Sequence, residues 1–123
     1  MRHARTFRVA LVLFIVAVLV GVLYVTPRLA PATAKSYTLV FRNNALASGP
    51  TLMTVNQGDT VTLRIQSDRE GHFMIHGYQQ ELLVPKDGEA SLSFVADQSG
   101  LFTIHLHQGY DHIEIARLEV RPR

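Results

Sequence analysis

Thr60-Val61-Thr62-Leu63-Arg64-Ile65-Gln66 alternates without a break, and its period decides the fold. Successive side chains on a strand point to opposite faces. Val61, Leu63 and Ile65 therefore share a buried face, and Thr60, Thr62, Arg64 and Gln66 face water. The same period recurs on both sides of this stretch. Ser36–Arg42 alternates and ends at Asn43-Asn44, and Leu52–Asn56 runs into Gln57-Gly58-Asp59. Downstream, Asp68–Gly71 is a loop, His72–His76 a strand, and Leu82–Val84 precedes Pro85-Lys86-Asp87-Gly88. Gly and Asn tolerate positive φ and Pro fixes its own, so these clusters are turns. Ala90–Ala96 carries Leu92 and Phe94, Asp97–Gly100 turns, and Leu101–His107 and Ile113–Arg121 close the series around Gln108–Asp111. Nothing after residue 35 shows a 3.6-residue period. Seven or so short strands at this spacing predict an all-β domain, a small antiparallel β-sandwich. Phe94 and Phe102 are its expected aromatic core, where truncation to Ala costs ~3–5 kcal/mol.

The N-terminus is different in kind. Val9–Val25 is 17 residues without a charge, behind Arg2, Arg5 and Arg8 and ahead of Pro27 and Arg28. Basic residues before an apolar run mark a signal peptide or a membrane anchor, with the basic flank left in the cytoplasm. Ala32-Thr33-Ala34 favours cleavage; its distance from the apolar run, broken by Pro27 and Pro31, favours an uncleaved anchor. Both readings stay open, and both place the rest of the chain outside the cytoplasm. The expected organisation is a hydrophobic helix (signal anchor or signal peptide) at 1–26, a linker at 27–35 and a domain at 36–123.

Charge and cysteine content narrow the function. Arg2, Arg5, Arg8 and Arg28 belong to the leader, so the remainder holds eight Lys and Arg against ten Asp and Glu. A mildly acidic domain gives no electrostatic support for nucleic-acid binding. The chain has no cysteine. The domain must fold on its core alone, and no thiolate is available to a metal. No Ser sits on a strained turn before a helix, and Glu81 and Glu89 lie in polar loops, so no hydrolase or paired-acid constellation is visible. The chain is read as a non-enzyme.

Histidine carries the functional signal. Five of the six lie between positions 72 and 112. Strand parity puts Phe73 and Ile75 on one face with His72, Met74 and His76 on the other. It likewise sets Phe102, Ile104 and Leu106 against Thr103, His105 and His107. Imidazole together with thioether suits copper better than calcium or magnesium. The expected ligand set is His76, His107 and His112, completed by His72 or Met74, with Asp111 and Glu114 orienting an imidazole. His105, farther from the loop and beside core Leu106, is expected to be a surface residue. Tyr78 and Tyr110 are expected to be packed at the rim.

Several stretches resemble the cupredoxins. Val55-Asn56-Gln57-Gly58-Asp59-Thr60-Val61 is similar to their opening v-x-x-G-D-x-V hairpin, and Ser93–Phe102 to their approach to the copper-binding strand. Leu118-Glu119-Val120 is similar to the closing strand, and the likeness covers residues 36–123. His76-Gly77-Tyr78 resembles an H-G-Y element of some exported cupredoxin-like proteins, with Met74 and Gln79 where that subgroup often has His and Asp. The resemblance implies a Greek-key cupredoxin-like sandwich. It also places the blue-copper His at Gly71, the Cys at Leu106 and the axial Met near Glu114. None of the three can serve, which rejects a blue-copper electron carrier. His and Met without Cys matches exported copper-handling proteins. The implied function is copper binding through His side chains for extracytoplasmic copper handling. Its partners are then a metal ion, the inner or cytoplasmic membrane and a copper-handling protein. The alternative is a metal-free interaction module docking on a membrane or periplasmic partner.

Overall fold

The computed structural model describes residues 12–15 and 30–123. Residues 12–15 are helical; the rest of the expected anchor lies outside the described residues. Among those described, no helix is long and apolar enough to cross a membrane. Pro31–Arg123 forms a unit of its own. It contains nine strands: β1 (Ala34–Arg42), β2 (Ala45–Ser48), β3 (Leu52–Asn56), β4 (Thr60–Ser67), β5 (Gly71–Ile75), β6 (Gln80–Val84), β7 (Gly88–Val95), β8 (Gly100–Gln108) and β9 (Asp111–Arg121).

The strands form two sheets, one in the order β2-β1-β4-β7 and one in the order β3-β9-β8-β5-β6. The alternation of Thr60–Gln66 is realised on β4, where Val61, Leu63 and Ile65 are at most 2% exposed. They meet Leu39 and Phe41 of β1 and, from the other sheet, Phe73, Ile75, Ile104 and Leu106 in one core. Phe94 belongs to that core at 8% exposure, but Phe102 is only partly buried and packs against it from the rim. Its ring meets Tyr78 instead, at a centroid distance of 4.6 Å.

The sheets are mixed rather than antiparallel. β1 pairs β4 and β3 pairs β9 in parallel, beside five antiparallel pairings. A parallel pair needs a crossover. Here the sandwich itself supplies it, since the chain between β1 and β4 passes through β3 in the opposite sheet.

Asp59 clasps the two ends of the domain. It is wholly buried, and its carboxylate accepts hydrogen bonds from the backbone N–H of Thr33 and Asn56, both at 2.9 Å, and pairs with Arg123 at 2.6 Å. The Thr33 N–H, then that of Asn56, holds its pKa at about 2. The fold thus binds the ionised form, and this stabilisation is present above the ordinary carboxylate value of 3.8 and lost as pH falls towards 2. Thermal melts should show Asp59→Asn less stable than wild type at pH 7, with a shallower loss of melting temperature from about pH 4 to pH 2. Equal slopes in that window would remove Asp59 as the titrating group.

Candidate metal centre

Strand register assembles a histidine face on the outside of the five-stranded sheet. β5 pairs β8 and β8 pairs β9, which sets His72, His107 and His112 in one cross-strand row. The next row runs Glu81, Met74, His105, Glu114. Residues directly opposite in a row hold their Cβ atoms about 4.5–5.5 Å apart, within reach of shared contacts. All of these side chains point away from the core, because Phe73, Ile75, Ile104 and Leu106 between them point in.

His76 lies one residue past β5 and is fixed from its backbone. Its N–H donates to the Thr103 carbonyl of β8 at 2.9 Å. The chain then turns at Gly77, with φ of +95°, where a Cβ would lie 2.6 Å from the Phe102 ring. Tyr78 follows and is packed: its hydroxyl donates to the Gln98 carbonyl at 2.6 Å, and its ring lies 5.1 Å from that of Phe94. Only glycine fits at 77, and the chain turns there directly after His76.

Three imidazoles come together as a donor set. His76, His105 and His107 offer nitrogens that all lie within 4.8 Å of one another. The His76 ring is 4.5 Å from that of His105 and 5.9 Å from that of His107. Around an ion bound at about 2.0–2.1 Å, imidazole nitrogens stand on the order of 3.3 Å apart, so the three nitrogens would draw closer to share one. Two buried atoms point to what they are for. Nδ1 of His105 and Nε2 of His107 have no hydrogen-bond partner among the described residues. A buried polar atom without a partner costs on the order of 1–3 kcal/mol. A metal ion would satisfy both. The other nitrogen of His105, Nε2, lies 4.0 Å from Glu114, beyond hydrogen-bond distance.

Burial favours the neutral form of these two rings. It is the first cause holding His105 and His107 below the ordinary imidazole value of 6.5. Positive charge on His76 adds to it at His105, and on His112 and then His76 at His107. Neutral imidazole is the form that ligates a metal.

The expected site residues separate into three groups. His76 and His107 are brought together. His112 sits beside His107, with rings 4.2 Å apart, but outside the three-nitrogen set. His72 shares the face, yet its Nδ1 is engaged by Glu81 at 2.5 Å. Met74 is half-buried opposite His105. His105, expected at the surface, is in the set. The i, i+2 spacing of His105 and His107 was the signal for it. Tyr110, expected to pack, is fully exposed at the β8–β9 turn.

Two positions that the resemblance assigns to ligands are filled by core packing. Gly71 and Leu106 are neighbours in the core, and a Cβ on Gly71 would lie 2.3 Å from Leu106 Cδ1. Leu106 is completely buried. The positions that the resemblance assigns to a copper-binding His and Cys are thus occupied by apolar packing.

No family model matches the chain, and neither does any sequence among curated proteins. Solved structures do match. A copper-binding protein, solved by NMR in the apo form, aligns over 76% of this chain and 93% of its own, at 10% identity and a TM-score of 0.56. The fold is cupredoxin-like. A multicopper oxidase from Pseudomonas thermotolerans matches with a TM-score of 0.57 at 17% identity, over 76% of this chain but 31% of its own. A chain of a heme-copper terminal oxidase dimer matches over 98% of this chain and 100% of its own, at 15% identity and a TM-score of 0.57. The aligned regions thus take up 93% and 100% of two of these chains and 31% of the third.

Proposed function

We propose that this protein binds copper on the outer face of its five-stranded sheet, through His76, His105 and His107, and serves copper handling outside the cytoplasm. The observation that carries the reading is the set of three converging imidazoles with two buried, partnerless nitrogens. Nitrogen donors without thiolate suit copper among the first-row metals, and cupredoxin-like neighbours that are copper proteins support the choice. The role proposed is binding rather than catalysis. Bound copper would supply an ion for delivery or storage. The chain's own part is to present neutral imidazoles on one face of the sheet.

Export and tethering complete the proposal. Arg2, Arg5 and Arg8 before Val9–Val25 support a membrane anchor with the domain outside, and His76-Gly77-Tyr78 supports a place in the exported subgroup that carries this element. Protease added to intact cells should digest the C-terminal domain. A domain protected until the membrane is broken would contradict the topology.

A second reading is favoured by one observation. The match to a chain of a heme-copper terminal oxidase runs along essentially the whole of both polypeptides. The match supports a module that docks on a membrane partner; the second reading takes that module to carry no metal. Elemental analysis separates the two. The purified full chain, dialysed after exposure to copper, should retain about one ion per chain on the first reading and none on the second.

A further inference from the structure

We infer that His112 ligates Cu(II) but not Cu(I), and so sets which oxidation state the site favours. The inference rests on the copper reading above and extends it to a fourth residue.

The backbone goes out of its way to place His112. Val120, Leu118 and Ala116 alternate into the core along β9, and the same parity would put Glu114 and His112 in the core as well. Instead Ile104 pairs with Ala116 while His105 pairs with Glu114, so Ile115 is an extra residue. Ile115 and Ala116 are both buried, and parity reverses beyond them. This bulge re-aims His112 and Glu114 onto the face that carries His105 and His107. Bulges recur beside functional sites because they redirect a side chain in this way.

His112 then stands next to the donor set without belonging to it. Its ring centroid is 4.2 Å from that of His107. It is exposed, at the foot of the β8–β9 turn, where Gly109 has a φ of +61° and Tyr110 is fully exposed. A rotation about its own side-chain bonds can bring it in or release it.

The chemistry distinguishes the two oxidation states. Cu(II) takes nitrogen and oxygen donors in a tetragonal arrangement, and three imidazoles leave it one short. Cu(I) has a filled d shell and no such demand, so three imidazoles suffice. The other neighbours are less suited to the fourth place. His72 is held by Glu81 at 2.5 Å, and Glu114 is held by Arg117 at 2.7 Å. The Met74 thioether is a soft donor that suits Cu(I). His112 is the nitrogen donor that remains.

The test compares the full-length wild type, His112→Ala and His107→Ala. Each is titrated with Cu(II) against a competing chelator, and with Cu(I) under anaerobic ascorbate against a Cu(I) chelator. His112→Ala should lose about tenfold or more in Cu(II) affinity and keep its Cu(I) affinity. Its reduction potential should rise by about 59 mV for each tenfold lost, as follows for a one-electron couple. Its Cu(II) electron paramagnetic resonance spectrum should show one nitrogen coupling fewer. His107→Ala should lose affinity in both states. Equal losses in the two states for His112→Ala, or no loss in either, would overturn the inference while leaving the copper site standing. No loss in His107→Ala would overturn the copper reading and the inference with it.

Discussion

Phe73→Ala should destabilise the domain by ~3–5 kcal/mol, as for a large buried aromatic. Phe73 is 2% exposed on β5, between β6 and β8. Its ring meets that of Phe41, on β1 in the other sheet, edge-on at 6.0 Å and 78°. That contact joins the two sheets, and an edge-to-face pair adds ~0.5–1.5 kcal/mol to the area buried. Small domains are stable by only ~5–15 kcal/mol, and this one has no disulfide to offset the loss. Phe73 also lies between His72 and Met74, so a loosened β5 should weaken metal binding without removing a donor. Phe102→Ala should cost less, because its ring is only partly buried on the rim. Denaturant unfolding of the two variants checks the order. A cost for Phe73→Ala well under ~1 kcal/mol would mean that β5 does not present this face to the core.

His107→Ala should weaken copper binding by at least ~100-fold, the upper end of what loss of a residue merely supporting a ligand costs. Its Nε2 is buried without a partner, and its ring neighbours both His76 and His112. His105→Ala should come close to it. His72→Ala should have little effect, because Glu81 already holds that ring. For His105 and His107 the sign with pH is fixed. Burial favours the neutral ring, so both are ready for metal at neutral pH, and protons displace it as pH falls below the ordinary value of 6.5. Isothermal titration at about pH 7.5 and 5.5 reads both effects. No intense thiolate-to-copper absorption should appear at either pH, since the chain has no cysteine.

Much of the sandwich was legible because one buried face imposes a two-residue period. Thr60–Gln66 and Leu101–His107 keep that period with nothing to disturb it. Ala45–Ser48 does not: β2 is four mostly exposed residues at a sheet edge, with no apolar stripe to betray it. The parallel pairings of β1 and β3 were invisible because their partners are set by crossovers, not by turns. The site was half legible. Parity put His72, Met74, His76, His105 and His107 on one face, and the structure keeps them there. What parity could not supply was reach. The His76 ring lies beside those of His105 and His107, Nδ1 of His105 is buried, and Glu81 engages His72; each depends on a contact across strands. The bulge at Ile115 is the clearest case. Alternation read along β9 sends His112 to the core, and only the pairing with β8 shows that it does not go there.

On the proposed reading, copper is held by histidines on the outer face of the sheet. Electron paramagnetic resonance of the full-length protein with one equivalent of Cu(II) tests it most directly, run beside the triple variant His76→Ala, His105→Ala, His107→Ala. The wild type should give a single Cu(II) species with couplings to several imidazole nitrogens, and the triple variant should give only the signal of copper free in the buffer. The same nitrogen-coupled spectrum from both proteins, or free copper from both, would contradict the account.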